Sequence, residues 1–152
     1  MAQKSLETLV QEMADREAIR ELPLKYCHYV WKKDVPAIVN LFTEDGEFDA
    51  GGGAPLAAKG REALLKAYQK GLSDLDPHPF IHNHVFELQG PDRATGNCYL
   101  DLRATSDGKS IISAGHYDDV YVKVGGEWKF RSRQFHVYFS TTLSEGWAEQ
   151  KK

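Results

Sequence analysis

Cysteine is almost missing from this chain of 152 residues: Cys27 and Cys98 are the only two. They fall on different predicted elements and lack metal-ligand spacing, so the expectation is a pair of reduced thiols in a cytoplasmic protein. An excess of either charge is missing too. With 19 basic and 22 acidic residues the net charge is −3, which argues against nucleic acid or an anionic membrane as the main partner. No apolar run approaches the roughly 20 residues that a membrane span needs. The opening MAQKSLETLVQEMADRE is polar and acidic, without the apolar centre of a signal peptide, so export is not expected. There is no internal repeat and no low-complexity segment. Gly51-Gly52-Gly53 lacks the strand–turn–helix context and the Lys-Ser/Thr ending of a phosphate loop, and reads as a lid or loop hinge. His82-x-His84 is the nearest approach to a metal motif; standing alone it is too little, so no metal is expected.

What remains is the size and composition of one domain, residues 1–152, with 41% hydrophobic and 27% charged residues and room for a real core. The first third reads as helix. Ser5 can cap a helix whose apolar positions Leu6, Leu9, Val10, Met13, Ile19 and Leu22 follow helical spacing. Asp15 could instead cap a second helix, and Pro23 should kink the first or start a new turn. The pattern resumes through Tyr26, Cys27, Val30 and Trp31. Asp34 and Pro36 open a short helix, Glu47–Ala50 reads as a strand, and Lys59–Leu72 as a third helix.

From residue 80 the period changes from helical to alternating. Phe80–Gln89 and Ala94–Ala104 read as strands, with turns at Gly90-Pro91-Asp92 and Ser106-Asp107-Gly108. The segment Ser110–Phe139 then forms two long arms around Gly125-Gly126, a dipeptide suited to the positive φ angles of a tight hairpin. Neither face of either arm is cleanly apolar or polar. Such mixing of His, Tyr, Asp and Arg with aromatics suits the wall of a partly polar pocket or a subunit contact. Helices first and strands after predict an α+β domain in which a curved antiparallel sheet wraps around helices. The polar tail carries Trp147, expected to dock on the body or on a neighbouring subunit.

An ordered set of motifs runs along nearly the whole chain: Ile19-x-x-Leu22-x-x-x-Tyr26, Leu41-Phe42-x-x-Asp45-Gly46, Asn83-His84-Val85, Gly90-x-x-Arg93-Ala94-Thr95-Gly96, and Tyr117-x-Asp119-x-Tyr121-x-Lys123-x-x-Gly126-x-Trp128-x-Phe130. This set resembles the SnoaL-like branch of the nuclear transport factor 2-like (NTF2-like) superfamily. That branch includes scytalone dehydratase, bile acid 7α-dehydratase, a hexachlorocyclohexane dehydrochlorinase and polyketide cyclases. The resemblance implies a cone-shaped, cystatin-like α+β fold, proton-transfer chemistry without a cofactor in a buried apolar cone, and a homo-oligomer, dimer or trimer. It also implies an Asp/His dyad, and here the sequence departs. The dyad's aspartate, five residues after Tyr26, is replaced by Trp31, and its histidine by Pro79. Either His78 serves by a one-residue shift, or other groups have taken over.

Histidine is the side chain best suited to move protons near pH 7. The resemblance makes His116 the first candidate base, since it aligns with a pocket-lining position of the dehydrochlorinase; His78 and His82 are the others, and His136 is a weaker one. Tyr26 matches a catalytic position in relatives and would hydrogen-bond the oxygen on which charge develops; its alternative is a core aromatic with a satisfied hydroxyl. Trp31, Tyr68 and Tyr138 are candidate aromatic walls, and Leu100, Leu102 and Ala104 align with apolar ones. Arg131 and Arg133 read as outer-face partners of acids such as Asp119 or Asp101, with a carboxylate or phenolate ligand as the alternative. The leading expectation is a cofactor-independent lyase acting by dehydratase-type elimination on a small hydrophobic, aromatic or polycyclic molecule. With a phenolic substrate it would pass through a quinone methide, an electron sink that also permits carbon–carbon cleavage. An isomerase or cyclase of the same fold, and a non-catalytic ligand-binding or assembly protein that lost the dyad, are the alternatives.

Overall fold

The computed structural model of the protein describes residues 3–51 and 57–146; Gly52, Gly53 and Trp147 lie outside them. Helix α1 (Leu6–Lys32) starts where the Ser5 side chain accepts the Thr8 N–H at 3.1 Å. It runs on through Pro23 as one helix, so there is no restart there. Asp15 is no cap either. It sits mid-helix and buried, accepting hydrogen bonds from Trp128 Nε1 at 2.9 Å and Gln11 Nε2 at 3.1 Å, with Lys123 Nζ 2.7 Å away. The α1 pattern is buried only from Ile19 onward; Leu6, Leu9, Val10 and Met13 are exposed. Lys33, at φ 54°, ends α1, and the Asp34 carboxylate caps helix α2 (Val35–Asn40) at the Ala37 N–H.

Strand β1 (Phe42–Asp49) begins ahead of the expected Glu47. After β2 (Ala58–Lys59) and α3 (Arg61–Leu75) come four long strands: β3 (His78–Leu88), β4 (Arg93–Ser106), β5 (Lys109–Val124) and β6 (Glu127–Thr142). The sheet order is β2-β1-β6-β5-β4-β3. All neighbours are antiparallel except β1 and β6, which run parallel. The expected antiparallel sheet is therefore mixed, because no tight turn joins β1 to β6 and nothing forces them to reverse direction. The hairpin turn is as expected, with Gly125 and Gly126 at φ 58° and 84°.

Helices α1 and α3 cover the concave face, and the core forms there from Ile19, Leu22 and Val30 of α1, Leu64 and Leu72 of α3, and Leu100, Phe130 and Phe135 of the strands. Each such side chain contributes about 1.5–3 kcal/mol by leaving water. The pairing register slips at Ile81/His84 between β3 and β4, and at Val120/Tyr121 and Ala114/Gly115 between β5 and β6. Each slip adds an unpaired residue and changes which parity faces inward. Along β6, Trp128 and Phe130 are buried before the first slip, and Arg133 and Phe135 after it. That switch explains why no nominal face of the hairpin reads as purely apolar. At Gly115 the chains come so close that a Cβ would lie 2.0 Å from the His136 carbonyl oxygen, which excludes any side chain. Among the described residues no helix is long and apolar enough to cross a membrane.

Candidate functional site

Between α1, α3 and the concave side of the sheet lies an apolar cavity of about 430 Å³. Its walls include Val30, Leu72, Leu75, Leu102, Phe135 and Val137. Tyr26 follows Leu22 by one turn of α1, and Tyr68 follows Leu64 by one turn of α3, so both phenols point to the buried side of their helices. Their hydroxyls meet 3.0 Å apart. On another part of the wall Ser113 Oγ donates to Ser140 Oγ at 2.8 Å. Lys70 and Asp74, paired at 2.5 Å and exposed, contribute the charged part of the lining.

Next to the tyrosine pair a charged pair is fully shut off from solvent. Arg133 donates through Nε to Asp119 Oδ1 and through Nη2 to Asp119 Oδ2, both at 2.8 Å. Its guanidinium carbon lies 3.9, 4.3 and 4.4 Å from the ring centroids of Tyr117, Phe130 and Tyr26. The Tyr121 hydroxyl donates to Asp119 Oδ2 at 2.9 Å, and His84 Nε2 is 2.9 Å from that hydroxyl. Because the hydroxyl gives its proton to Asp119, His84 must donate to it through Nε2–H. Nη1 of Arg133 is buried and has no hydrogen-bond partner.

Burial sets the protonation states. It pushes the Tyr26, Tyr68 and Tyr117 hydroxyls well above the ordinary phenol range, so all three are neutral donors. Burial also raises Cys27 to about 12 and Cys98 to about 11, which leaves two inert thiols. For Arg133 burial opposes the charge, but Asp119 more than compensates and holds the guanidinium protonated. His84 is lowered, chiefly by burial, with Arg133 and Arg20 adding to the effect against Asp119.

Of the residues singled out in the sequence, Tyr26, Tyr68 and Leu102 line the cavity, while Leu100 is packed in the core. The others lie elsewhere. Trp31 does not wall the cavity: its indole N–H donates to the Pro79 carbonyl at 2.8 Å, and its ring lies in a shallow outer groove with His78 and Phe80. The two positions where the resemblance implies an aspartate and a histidine are thus neighbours, joined by a bond that moves no proton. His78 packs edge-on against Trp31, with centroids 4.4 Å apart, and is not part of the cavity wall. His82 is exposed, 2.8 Å from Asp101.

His116 is also outside. Tyr117, Asp119 and Tyr121 take the inward positions of β5, which puts His116 on the convex face. The β6 register sets His136 opposite it, and Tyr138 projects there as well. Arg133 pairs with Asp119, but inside the core and not on an outer face; Arg131 lies within 3.4 Å of Asp45 and of Glu47. The sequence reading missed His84 and Tyr117. The register slip at Ile81/His84 turns His84 inward, and the alternation Tyr117-x-Asp119-x-Tyr121 was the available sign of a buried polar row.

Residues 11–134 match the model of the SnoaL-like domain. The chain belongs to this family. Solved structures show the same SnoaL-like, cystatin-like cone. The crystal structure of LinA superposes with a TM-score of 0.82 at 23% identity, covering 89% of this chain and 93% of that one. A candidate scytalone dehydratase from Novosphingobium aromaticivorans gives 0.78 at 20%, covering 88% and 90%. An NTF2-like protein with a cystatin-like fold, also from Novosphingobium aromaticivorans, gives 0.70 at 24%, covering 90% and 92%. No curated protein matches the chain significantly by sequence. These SnoaL-like relatives establish the fold, and the site must speak for the chemistry.

Proposed function

We propose that this SnoaL-like protein is a cofactor-independent lyase that removes water from a small, hydrophobic ring compound bearing oxygen. One observation carries the reading: two neutral phenols whose hydroxyls lie 3.0 Å apart belong to the wall of a mostly apolar cavity of about 430 Å³. A carbonyl or phenolic oxygen of the substrate would take the place of one phenol as hydrogen-bond partner, while the rings fill the space against Leu102 and Phe135. As the substrate loses its proton, the negative charge that develops on its carbonyl or phenolic oxygen is met by Tyr26 and Tyr68, and it is discharged when the hydroxyl departs. A well-placed donor of this kind lowers a barrier by about 3 kcal/mol. The Arg133 charge, 4.4 Å from the Tyr26 ring centroid, favours the partial negative charge that this phenol acquires while donating. The Ser113–Ser140 pair offers a second oxygen a place to bind.

No histidine is among the described residues that line the cavity, and Asp74, paired with Lys70, is the one carboxylate among them. This favours substrates whose own oxygen drives the leaving group out. In a 4-hydroxybenzyl-type compound, the phenolic proton passes to Asp74, the benzylic C–O bond breaks to leave a quinone methide, and the departing hydroxide takes the proton back from Asp74 to leave as water. Dehydration of a panel of hydroxylated phenols and cyclic ketones tests the reading. Tyr26→Phe and Tyr68→Phe should each lower kcat/KM on the order of 100-fold, the equivalent of about 3 kcal/mol. Turnover that is indifferent to both changes rejects it.

A non-catalytic ligand-binding protein is the second reading, supported by the absence of histidine from the described cavity lining. Tight ligand binding with no turnover at any pH would select it. The low cysteine content fits a cytoplasmic setting, and the exposed apolar side chains of Leu6, Val10 and Met13 fit burial in a homo-oligomer.

A further inference from the structure

On the convex side of β5 and β6, facing away from the cavity, three donor side chains converge that the proposed chemistry does not use. His116 and His136 are cross-strand partners, and Asp118 lies two residues along β5 on the same face. The imidazoles stack with centroids 4.9 Å apart and planes 17° apart. The Asp118 carboxylate reaches both: Oδ1 is 3.3 Å from His116 Nε2 and Oδ2 is 2.8 Å from His136 Nε2. One ligand atom from each residue lies within 4.8 Å of the other two.

Two further side chains hold this set in place. The Tyr138 hydroxyl is hydrogen-bonded to His116 Nδ1, and the Asn97 amide donates to Asp118 Oδ1. In the tautomer that gives Nδ1–H to Tyr138, His116 presents Nε2 as a free lone pair, the arrangement by which metal-binding histidines are commonly oriented. His136 Nε2 is shielded from solvent and, despite its short distance to Asp118, makes no aligned hydrogen bond. A cation placed among the three residues would give this nitrogen the partner it lacks, since the ligand atoms of Asp118 and His116 lie within 4.8 Å of it.

We propose that His116, Asp118 and His136 bind a divalent cation of the zinc class. Two imidazoles and one carboxylate suit such an ion, and three protein ligands leave a fourth position for water. Tetrahedral donors about 2.0–2.1 Å from zinc lie roughly 3.3 Å from one another. The carboxylate–imidazole separations of 3.3 and 2.8 Å are already near that value. The two imidazole nitrogens, within 4.8 Å of each other, must rotate closer to complete the set. The spacing along the chain gives no hint of the site, because His136 arrives from the opposite strand of the hairpin. A bound ion would clamp β5 to β6 beside the slip at Ala114/Gly115.

The test uses the full chain, stripped with a chelator and titrated with Zn²⁺ against a chromophoric competitor, and with Co²⁺ followed by visible absorption. The expected result is one ion per chain, a tetrahedral Co²⁺ spectrum and a rise in thermal midpoint. His136→Asn and Asp118→Asn should each weaken binding on the order of 100-fold, and Tyr138→Phe, which removes an orienting bond alone, about 10-fold. The metal-free variants should keep the wild-type circular dichroism. His82→Asn, at the separate His82–Asp101 pair, should bind as wild type does. No binding at micromolar Zn²⁺, wild-type affinity in both His136→Asn and Asp118→Asn, or one ion shared by two chains would each overturn the proposal.

Discussion

Replacing Asp119 by Asn removes the carboxylate that holds Arg133 through two 2.8 Å bonds in a fully buried position. The amide keeps one acceptor oxygen, so a single bond to Arg133 or to Tyr121 survives, but the guanidinium charge is left without its counter-ion. Stripping one partner from a buried pair costs about 3–5 kcal/mol. Because Asn keeps an acceptor, the lower end, about 3 kcal/mol, is expected. That is a large share of the roughly 5–15 kcal/mol that stabilises a typical domain. It corresponds to a fall in thermal midpoint of about 10 °C. Urea unfolding followed by far-ultraviolet circular dichroism measures the loss, and the denaturant slope should not change. The triple change Asp119→Leu, Tyr121→Phe, Arg133→Met replaces the charged row by apolar groups and should recover at least half of the loss, since well-packed apolar residues substitute for buried ion pairs at little cost. A loss under about 1 kcal/mol in the single variant would refute the reasoning, because Arg133 would then have found water or another acceptor.

Two other outcomes follow from the same geometry. His84 has a lowered pKa, held down first by burial, so between its folded value and about 6.5 the unfolded chain binds more protons than the folded one. Stability should therefore rise with pH through that window and be lost on acidification below about 6.5; His84→Gln, which can still donate to Tyr121, should flatten the slope when urea unfolding is compared at about pH 5 and 7.5. Trp31→Phe loses the bond to the Pro79 carbonyl and should cost about 1 kcal/mol of stability, while the affinity of cavity ligands measured by calorimetry stays as in wild type. A tenfold loss of affinity would return Trp31 to the binding site.

The fold was legible because helical and alternating periods occupy separate parts of the chain, and because the motif set from Ile19 to Phe130 keeps its order. Tyr26 and Tyr68 were legible for a related reason. A residue on a helix inherits its direction from apolar neighbours one turn away, and Leu22 and Leu64 are such neighbours. Strands offer no such redundancy. Each β5 residue belongs to one of two faces, and choosing between them depends on slips in register that a single sequence does not display. The expectation that His116 faces the pocket therefore fails, because the Tyr117-x-Asp119-x-Tyr121 row holds that side. His84 turns inward only because β3 carries an extra residue before it. The gathering of His116, Asp118 and His136 depends on pairing between strands, which spacing along one strand cannot reveal.

A crystal structure of the chain with a bound phenol or hydroxylated cyclic ketone would settle whether the tyrosine pair is the working site. Ligand density in the cavity should place an oxygen within about 3.2 Å of the Tyr26 or Tyr68 hydroxyl, with its rings against Leu102 and Phe135. Density confined to the outer groove at Trp31 and His78, with the two phenols still bonded only to each other, would contradict it.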